Sequence, residues 1–215
     1  PVDRVDFEDL VATSARLRLQ VDSLRSSIDA AIGNRDALTG AYGRIEMLPA
    51  LHDLQVLTRH GGLPSSIVFM DVDHLKRIND QHGHPVGDAV LAGVVRHLDL
   101  HLRTQDKVFR YGGDEFLVAL SGADLTTAHE VVSRVRLGLA AKFLITGPDG
   151  SAMQVTASFG LALLDPVEDV SESIGRADQA LLLAKTAGRN RAVAWDASVT
   201  TGTRWRLIGV SERSE

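Results

Sequence analysis

The sequence predicts an α+β domain: a central, mostly antiparallel sheet surrounded by helices, with an N-terminal coiled-coil helix ahead of it. Three observations carry this prediction. "KVFRY" and "EFLVAL" flank Gly112-Gly113 as the arms of a hairpin, and hairpin arms are antiparallel. After the turn-forming "GPDG", Met153, Val155, Ala157, Phe159, Leu161 and Leu163 alternate strictly, the period of a strand with one buried face. Elsewhere Val90, Leu91, Val94, Val95, Leu98 and Leu102 share one helical stripe. Helices mixed with hairpin strands imply a layered sheet-and-helix core.

Taken in order, residues 1–32 read as one helix. Phe7, Leu10, Ser14, Leu17, Val21, Leu24, Ile28 and Ala31 recur in steps of three and four, with Ser14 the one polar lapse. With Phe7 at position a, Val21 and Ile28 fall at a, and Leu10, Leu17 and Leu24 fall at d. That pattern favours a parallel two-stranded coiled coil over a helix folded onto its own domain. Gly33-Asn34 ends the helix. The domain then runs over 33–197, and 198–215, with "TTGT", form a loose tail. Within the domain, "SSIVFMDV" at 65–72 is a short buried strand entered from Gly61-Gly62-Leu63-Pro64. Residues 127–141 and 171–186 are helical, the latter ending at Gly188, and "RAVAW" is a last strand.

The 215 residues suffice for one ordinary domain with an appendage. A net charge of −5 argues against broad nucleic-acid binding while leaving room for a local phosphate site. With no cysteine there are no disulfides and no thiolate metal sites, which fits a cytoplasmic location. No apolar run approaches the ~18–20 residues that span a bilayer, and no signal peptide is visible. The chain begins at Pro1, not Met, so an upstream sensory domain is expected to precede it.

Two stretches carry chemistry. In "MDVDHLKRINDQHGHPVGDAVL", Asp71 and Asp73 stand where an apolar strand ends, either as caps of the next helix or as ligands. Lys76, Asn79, His84 and Asp88 come after them over a turn-rich stretch with Gly83, Pro85 and Gly87. An Asn and an Asp together can read a guanine edge. His82 and His84 are either surface residues or metal ligands. In "RYGGDEFLVAL" the acids sit at a turn leading into a buried strand. The turn is either a solvated hairpin tip or, with Asp71, a set of hard oxygens for Mg²⁺. Glycines before Asp114 let backbone and phosphate approach closely. Lys185 and Arg189 share a face at a helix end, where they complement the helix dipole or clamp a phosphate.

Five ordered pieces resemble the GGDEF family of diguanylate cyclases over about residues 35–195. They are "RDALTG", "MDVDHLKRINDQHGHPVGD", "RYGGDEF", "TASFGLAL" and "ADQALLLAKTAGRNR". The resemblance implies a sheet like that of class III nucleotidyl cyclases and polymerase palm domains. It implies condensation of two GTP into cyclic di-GMP and two pyrophosphates by a homodimer, each protomer holding one GTP. It assigns Mg²⁺ (or Mn²⁺) to Asp71, the Val72 carbonyl and Asp114, with Glu115 sharing the metal work. Asp114 would accept the proton of the attacking 3′-hydroxyl and Lys76 would stabilise charge on the phosphates. Asn79 and Asp88 would read guanine, His84 would line the pocket, and Lys185 and Arg189 would hold the β- and γ-phosphates.

"RTQD" at 103–106 matches the family's R-x-x-D product site, so Arg103 and Asp106, with Arg110 beyond them, are expected to bind cyclic di-GMP and inhibit; as a bare spacing it also suits a surface ion pair. Met70, Leu75 and Leu183 replace aromatics common in the family, and Ala41 and Gly43 depart from its opening signature; none removes a matched ligand. Two other functions compete: a cyclic di-GMP receptor without catalysis, and an enzyme acting on another nucleotide. The intact signature opposes the first, and Asn79 with Asp88 opposes the second.

Overall fold

The computed structural model describes residues 35–142, 144–146 and 152–195. The expected N-terminal coiled coil, the "GPDG" turn and the C-terminal tail lie outside them. Helix α1 (Arg44–Gly61) leads into strand β1 (Ser66–Val72). Helices α2 (Leu75–His82) and α3 (His84–Asp99) come next, then the hairpin β2 (Lys107–Arg110) and β3 (Glu115–Leu120). After α4 (Leu125–Lys142) come β4 (Leu144–Thr146), β5 (Ala152–Gln154), β6 (Ala157–Leu163), α5 (Val170–Thr186) and β7 (Ala192–Ala194).

The main sheet has the order β2-β3-β1-β6-β7. All its pairings are antiparallel except β6 with β7, which is parallel, so the expectation of a mostly antiparallel sheet holds. Strand β1 is central and buried on both faces. Alternation sends Val68, Met70 and Val72 into one apolar layer with Val90, Val94 and Leu98 of α3 and Val132, Val135 and Leu139 of α4. Ile67 and Phe69 enter the opposite layer, with Met47, Leu51 and Leu54 of α1 and Ala177 and Leu181 of α5. The sheet is thus a wall between two cores, and its strand ends form a rigid rim.

Four sequence expectations need correction. The alternating run from Met153 to Leu163 is two strands: β5 pairs with β4 in a separate two-stranded sheet, and the chain crosses to the main sheet at Val155-Thr156. Moreover β6 is buried on both faces. Its small side is pressed onto α5: a Cβ at Gly160 would lie 2.1 Å from the Ala177 carbonyl oxygen. Small residues gave an impression of a solvated face where a helix in fact packs closely. The polar stretch after Asp73 is two helices broken at Gly83, which adopts φ +85°. Helix α1 left no clear signal because Ile45, Val56 and Leu57 are exposed and Pro49 sits inside it, while Met47, Leu51 and Leu54 form the buried stripe. Leu102 lies beyond the end of α3, half-buried against the same layer. Among the described residues, no helix is long and apolar enough to cross a membrane.

Candidate active site

The site lies at the C-terminal end of β1, where the central strand emerges beside the hairpin. Antiparallel pairing sets Asp71 opposite Glu115. The Val72 N–H donates to the Asp114 carbonyl at 3.2 Å, so Asp114 is tied to β1 by its backbone and its carboxylate is left over. The turn is closed from within: the Tyr111 and Gly112 N–H groups donate to the Glu115 carbonyl at 2.9 and 3.2 Å. Arg110 braces it from outside. It donates to the Gly113 carbonyl at 2.9 Å and to both Asp36 carboxylate oxygens at 2.9 Å. Burial pushes the Asp36 carboxyl up, but hydrogen bonds from Thr39 and then Arg110 outweigh it and hold the group below the usual carboxylate range.

Asp71 is 9% exposed. Burial pushes its carboxyl above the ordinary value; Lys185 pulls it down, and the charges of Asp114 and Glu115 push it up again. The Lys185 ammonium reaches across from the end of α5 to Asp71 Oδ2 at 2.8 Å. Asp71 is thus a buried carboxylate with two further carboxylates close enough to repel it and a lysine supplying the countercharge. Among the described residues no group of three or more His, Asp or Glu side chains is gathered to hold a metal unaided. Asp71 pairs with Glu115 and Val72 is bonded to Asp114, so this strand end gathers hard oxygens of the kind that suit Mg²⁺.

Beside this rim, α2 carries Lys76 and Asn79 while α3 begins with His84 and carries Asp88. Lys76, His84 and Asp88 are exposed. Asn79 Oδ1 is buried without a hydrogen-bond partner. It fits against Gly87, where a Cβ would lie only 1.8 Å from it. A buried amide oxygen with nothing to accept from is costly unless a ligand supplies a donor. His82 and His84 flank the helix break and join no metal cluster among the described residues. Arg189 is exposed on the loop after α5, with φ +61°.

Asp73 takes a different part from Asp71. It is 3% exposed and accepts from Thr156 Oγ1 at 2.8 Å, Ser158 Oγ at 2.7 Å and the Asn190 N–H at 3.0 Å. It is engaged within the fold and caps no helix, since the residue at the N-cap of α2 is His74. The sequence signal for this network was the pair of hydroxyls, Thr156 and Ser158, placed at the entry of an otherwise apolar strand.

Arg103 and Asp106 line a separate cleft of ≈360 Å³ with Arg35, Tyr42 and Asp99. Asp106 accepts from the Arg103 and Ser121 N–H groups at 2.9 and 3.1 Å, and burial still leaves its carboxyl above the ordinary range. The Arg103 side chain is exposed. Arg110 does not line this cleft but the neighbouring one, with Asp36, Arg44 and Tyr111.

Comparison with known proteins places these features in a family. Residues 33–191 match the family model described as "Diguanylate cyclase, GGDEF domain". The chain is 31% identical over 196 residues to the response regulator PleD of Caulobacter vibrioides, covering 90% of this chain and 43% of that protein. It is 36% identical over 169 residues to the diguanylate cyclase DosC of Escherichia coli, covering 76% of this chain and 35% of that one. It therefore spans less than half the length of either relative. The coiled coil and GGDEF domain of DgcB from Caulobacter crescentus, solved in complex with c-di-GMP, superposes with a TM-score of 0.72 at 25% identity, covering 89% of this chain and 98% of that one.

Proposed function

The chain belongs to the GGDEF diguanylate cyclase domain family, and from that premise we propose that it condenses two GTP into cyclic di-GMP as a homodimer. The observation that carries the reading is the acidic rim at Asp71, Asp114 and Glu115, with Lys185 seated 2.8 Å from Asp71. Asp71, the Val72 carbonyl, Asp114 and Glu115 would hold Mg²⁺, which when bound neutralises phosphate charge and makes the α-phosphorus easier to attack.

Each protomer holds one GTP. Asn79 and Asp88 receive the guanine edge, the unpaired Asn79 Oδ1 taking a donor from the base, and His84 lines the pocket mouth. Lys185 leaves Asp71 for the β- and γ-phosphates, joined by Arg189. The 3′-hydroxyl of one GTP attacks the α-phosphorus of the other, Asp114 accepts its proton, and pyrophosphate departs. Lys76 balances the charge that accumulates on the phosphate oxygens. A second, symmetric displacement closes the ring. Positioning and charge neutralisation dominate such a reaction, and a rim fixed between two cores supplies both.

A two-fold arrangement of active faces is required, because one site holds only half of the product. The helix pattern of residues 1–32 suits a parallel coiled coil that brings two such faces together and transmits the state of an upstream sensory domain. The Arg103–Asp106 cleft, distinct from the acidic rim, is assigned to product feedback. An exposed guanidinium meets phosphate and stacks on guanine. The same cleft supports the alternative reading, a cyclic di-GMP receptor without turnover. Mass spectrometry of a GTP and Mg²⁺ reaction at two protein concentrations separates them. Cyclic di-GMP forming at a rate that rises more than in proportion to protein supports the cyclase; product bound but none formed supports the receptor.

A further inference from the structure

We infer that Asp73, the second carboxylate of "DVD", is a positioning residue that sets the triphosphate-binding loop against the metal-binding strand end. The inference rests on the assignment of Lys185 and Arg189 to the β- and γ-phosphates. Asp71 and Asp73 are separated by a single residue, yet their partners differ in kind: Asp71 meets a lysine, whereas Asp73 is sealed in by three neutral donors.

Those donors come from two segments. Thr156 and Ser158 belong to the entry of β6, and the Asp73 N–H also donates to the Thr156 carbonyl at 2.9 Å. The third, the Asn190 N–H, belongs to the loop after α5 that carries Arg189. That loop is held in an unusual shape. Arg189 and Asn190 are consecutive non-glycine residues with φ of +61° and +45°. L-residues adopt this left-handed conformation in succession only where the surroundings impose it. Several hydrogen bonds hold it there, among them Arg191 Nε to the Arg189 carbonyl at 3.0 Å and the Phe159 N–H to the Arg191 carbonyl at 2.9 Å. Asp73 Oδ2 receives the Asn190 N–H at 3.0 Å, and Arg136 Nη1 donates to the Asn190 carbonyl at 3.2 Å. The Arg189 N–H closes the helix end by donating to the Ala184 carbonyl at 3.0 Å. Asp73 therefore joins three things: the strand end bearing Asp71, the entry of β6, and the backbone of the residue next to Arg189. Its carboxylate fixes the distance between the cation position and the phosphate clamp without touching either.

The test compares binding of a non-reactive GTP analogue with binding of GMP, both with Mg²⁺, by calorimetry on the full chain. GMP lacks the two phosphates assigned to Lys185 and Arg189. Asp73→Asn is expected to weaken the analogue about tenfold, the cost of misplacing a binding group, while leaving GMP unchanged. Ser158→Ala removes a bond to the other carboxylate oxygen and is expected to lower the melting temperature without moving the analogue-to-GMP ratio. In an Arg189→Ala background, Asp73→Asn is expected to add nothing further, because it acts through that loop. Equal weakening of both ligands, an unchanged ratio, or full additivity with Arg189→Ala overturns the inference. Should Asp73→Asn not fold, Thr156→Val removes one donor to the same oxygen as Asn190 and is expected to lower the ratio roughly threefold; no fall overturns the inference equally. A wild-type chain that binds GMP as tightly as the analogue removes the phosphate clamp itself, and this inference with it. A wild-type preference for the analogue that survives in Asp73→Asn removes only the role of Asp73.

Discussion

Lys185 Nζ lies 2.8 Å from Asp71 Oδ2, across the gap between the end of α5 and the end of β1. On the proposed function, nucleotide binding would require an exchange: Lys185 would move to phosphate as a cation took its place at Asp71. The pair is mostly shielded, with side-chain exposures of 27% for Lys185 and 12% for Asp71. Burial nevertheless outweighs the lysine, and Asp71 remains harder to ionise than a free carboxyl.

That balance has a sign that stability measurements can read. A carboxyl whose folded value is raised keeps its proton longer in the fold than in the unfolded chain. Stability is therefore full at pH below the unfolded value near 3.8 and falls as pH rises toward and through the raised folded value. Asp71→Asn removes this penalty. In metal-free buffer at pH 7.5 the variant is expected to be more stable than the parent by about 0.5–2 kcal/mol, the usual scale for relieving a functional site. The gap should close as pH falls toward 4. Urea unfolding with chelator at both pH values checks this; a less stable variant at pH 7.5 would show that the ion pair is net stabilising.

Asp114→Ala is expected to abolish turnover with the fold intact. The contact that anchors Asp114 to β1 uses its backbone carbonyl, which alanine retains. What is lost is the carboxylate, assigned both to the cation and to the 3′-hydroxyl proton. A fall in kcat of at least about a hundredfold is expected, with a melting temperature near the parent's. Near-normal rates would refute the assignment.

Gly87→Ala tests the proposed guanine pocket. Helix α3 should tolerate or prefer alanine by propensity, by up to about 1 kcal/mol. Yet the added Cβ falls 1.8 Å from Asn79 Oδ1, so the amide must leave its seat. The expected result is a stable protein whose KM for GTP rises about tenfold or more, with discrimination against ATP reduced. An unchanged KM together with unchanged discrimination would show that Asn79 does not read the base from this position.

How much of this was legible in the sequence depended on whether a signal was local. The hairpin, β1 and the helix 171–186 were readable because apolar period and turn glycines coincide there. The rim was readable at Asp71 and Asp114 because acids at the ends of apolar strands are conspicuous. Asp73 was not: its meaning lies in Asn190, 117 positions away, and no local pattern reports such a bond. Nor was Gly160, whose role is set by a helix later in the chain. The place of Arg110 was illegible for the same reason, since its partner Asp36 lies 74 positions upstream and Arg110 lines the cleft beside it rather than the one with Arg103 and Asp106.

Arg103, inside the proposed product motif, and Arg110, beyond it, should therefore behave differently. Arg103→Ala truncates an exposed side chain while its backbone N–H continues to hold Asp106, so turnover and stability are expected to persist. The inhibition constant for added cyclic di-GMP is expected to rise about tenfold, the loss of a bidentate phosphate and stacking contact. Arg110→Ala instead unties the part-buried Asp36 pair and the Gly113 carbonyl. It is expected to lower the melting temperature and kcat together, because the hairpin that presents Asp114 loses its outer brace. Its inhibition constant should stay near the parent's. Steady-state rates over a cyclic di-GMP titration, with melting temperatures for both variants, decide the point. Relief of inhibition by Arg110→Ala with full activity would return that residue to the product site, and unchanged inhibition in Arg103→Ala would remove the cleft from feedback altogether.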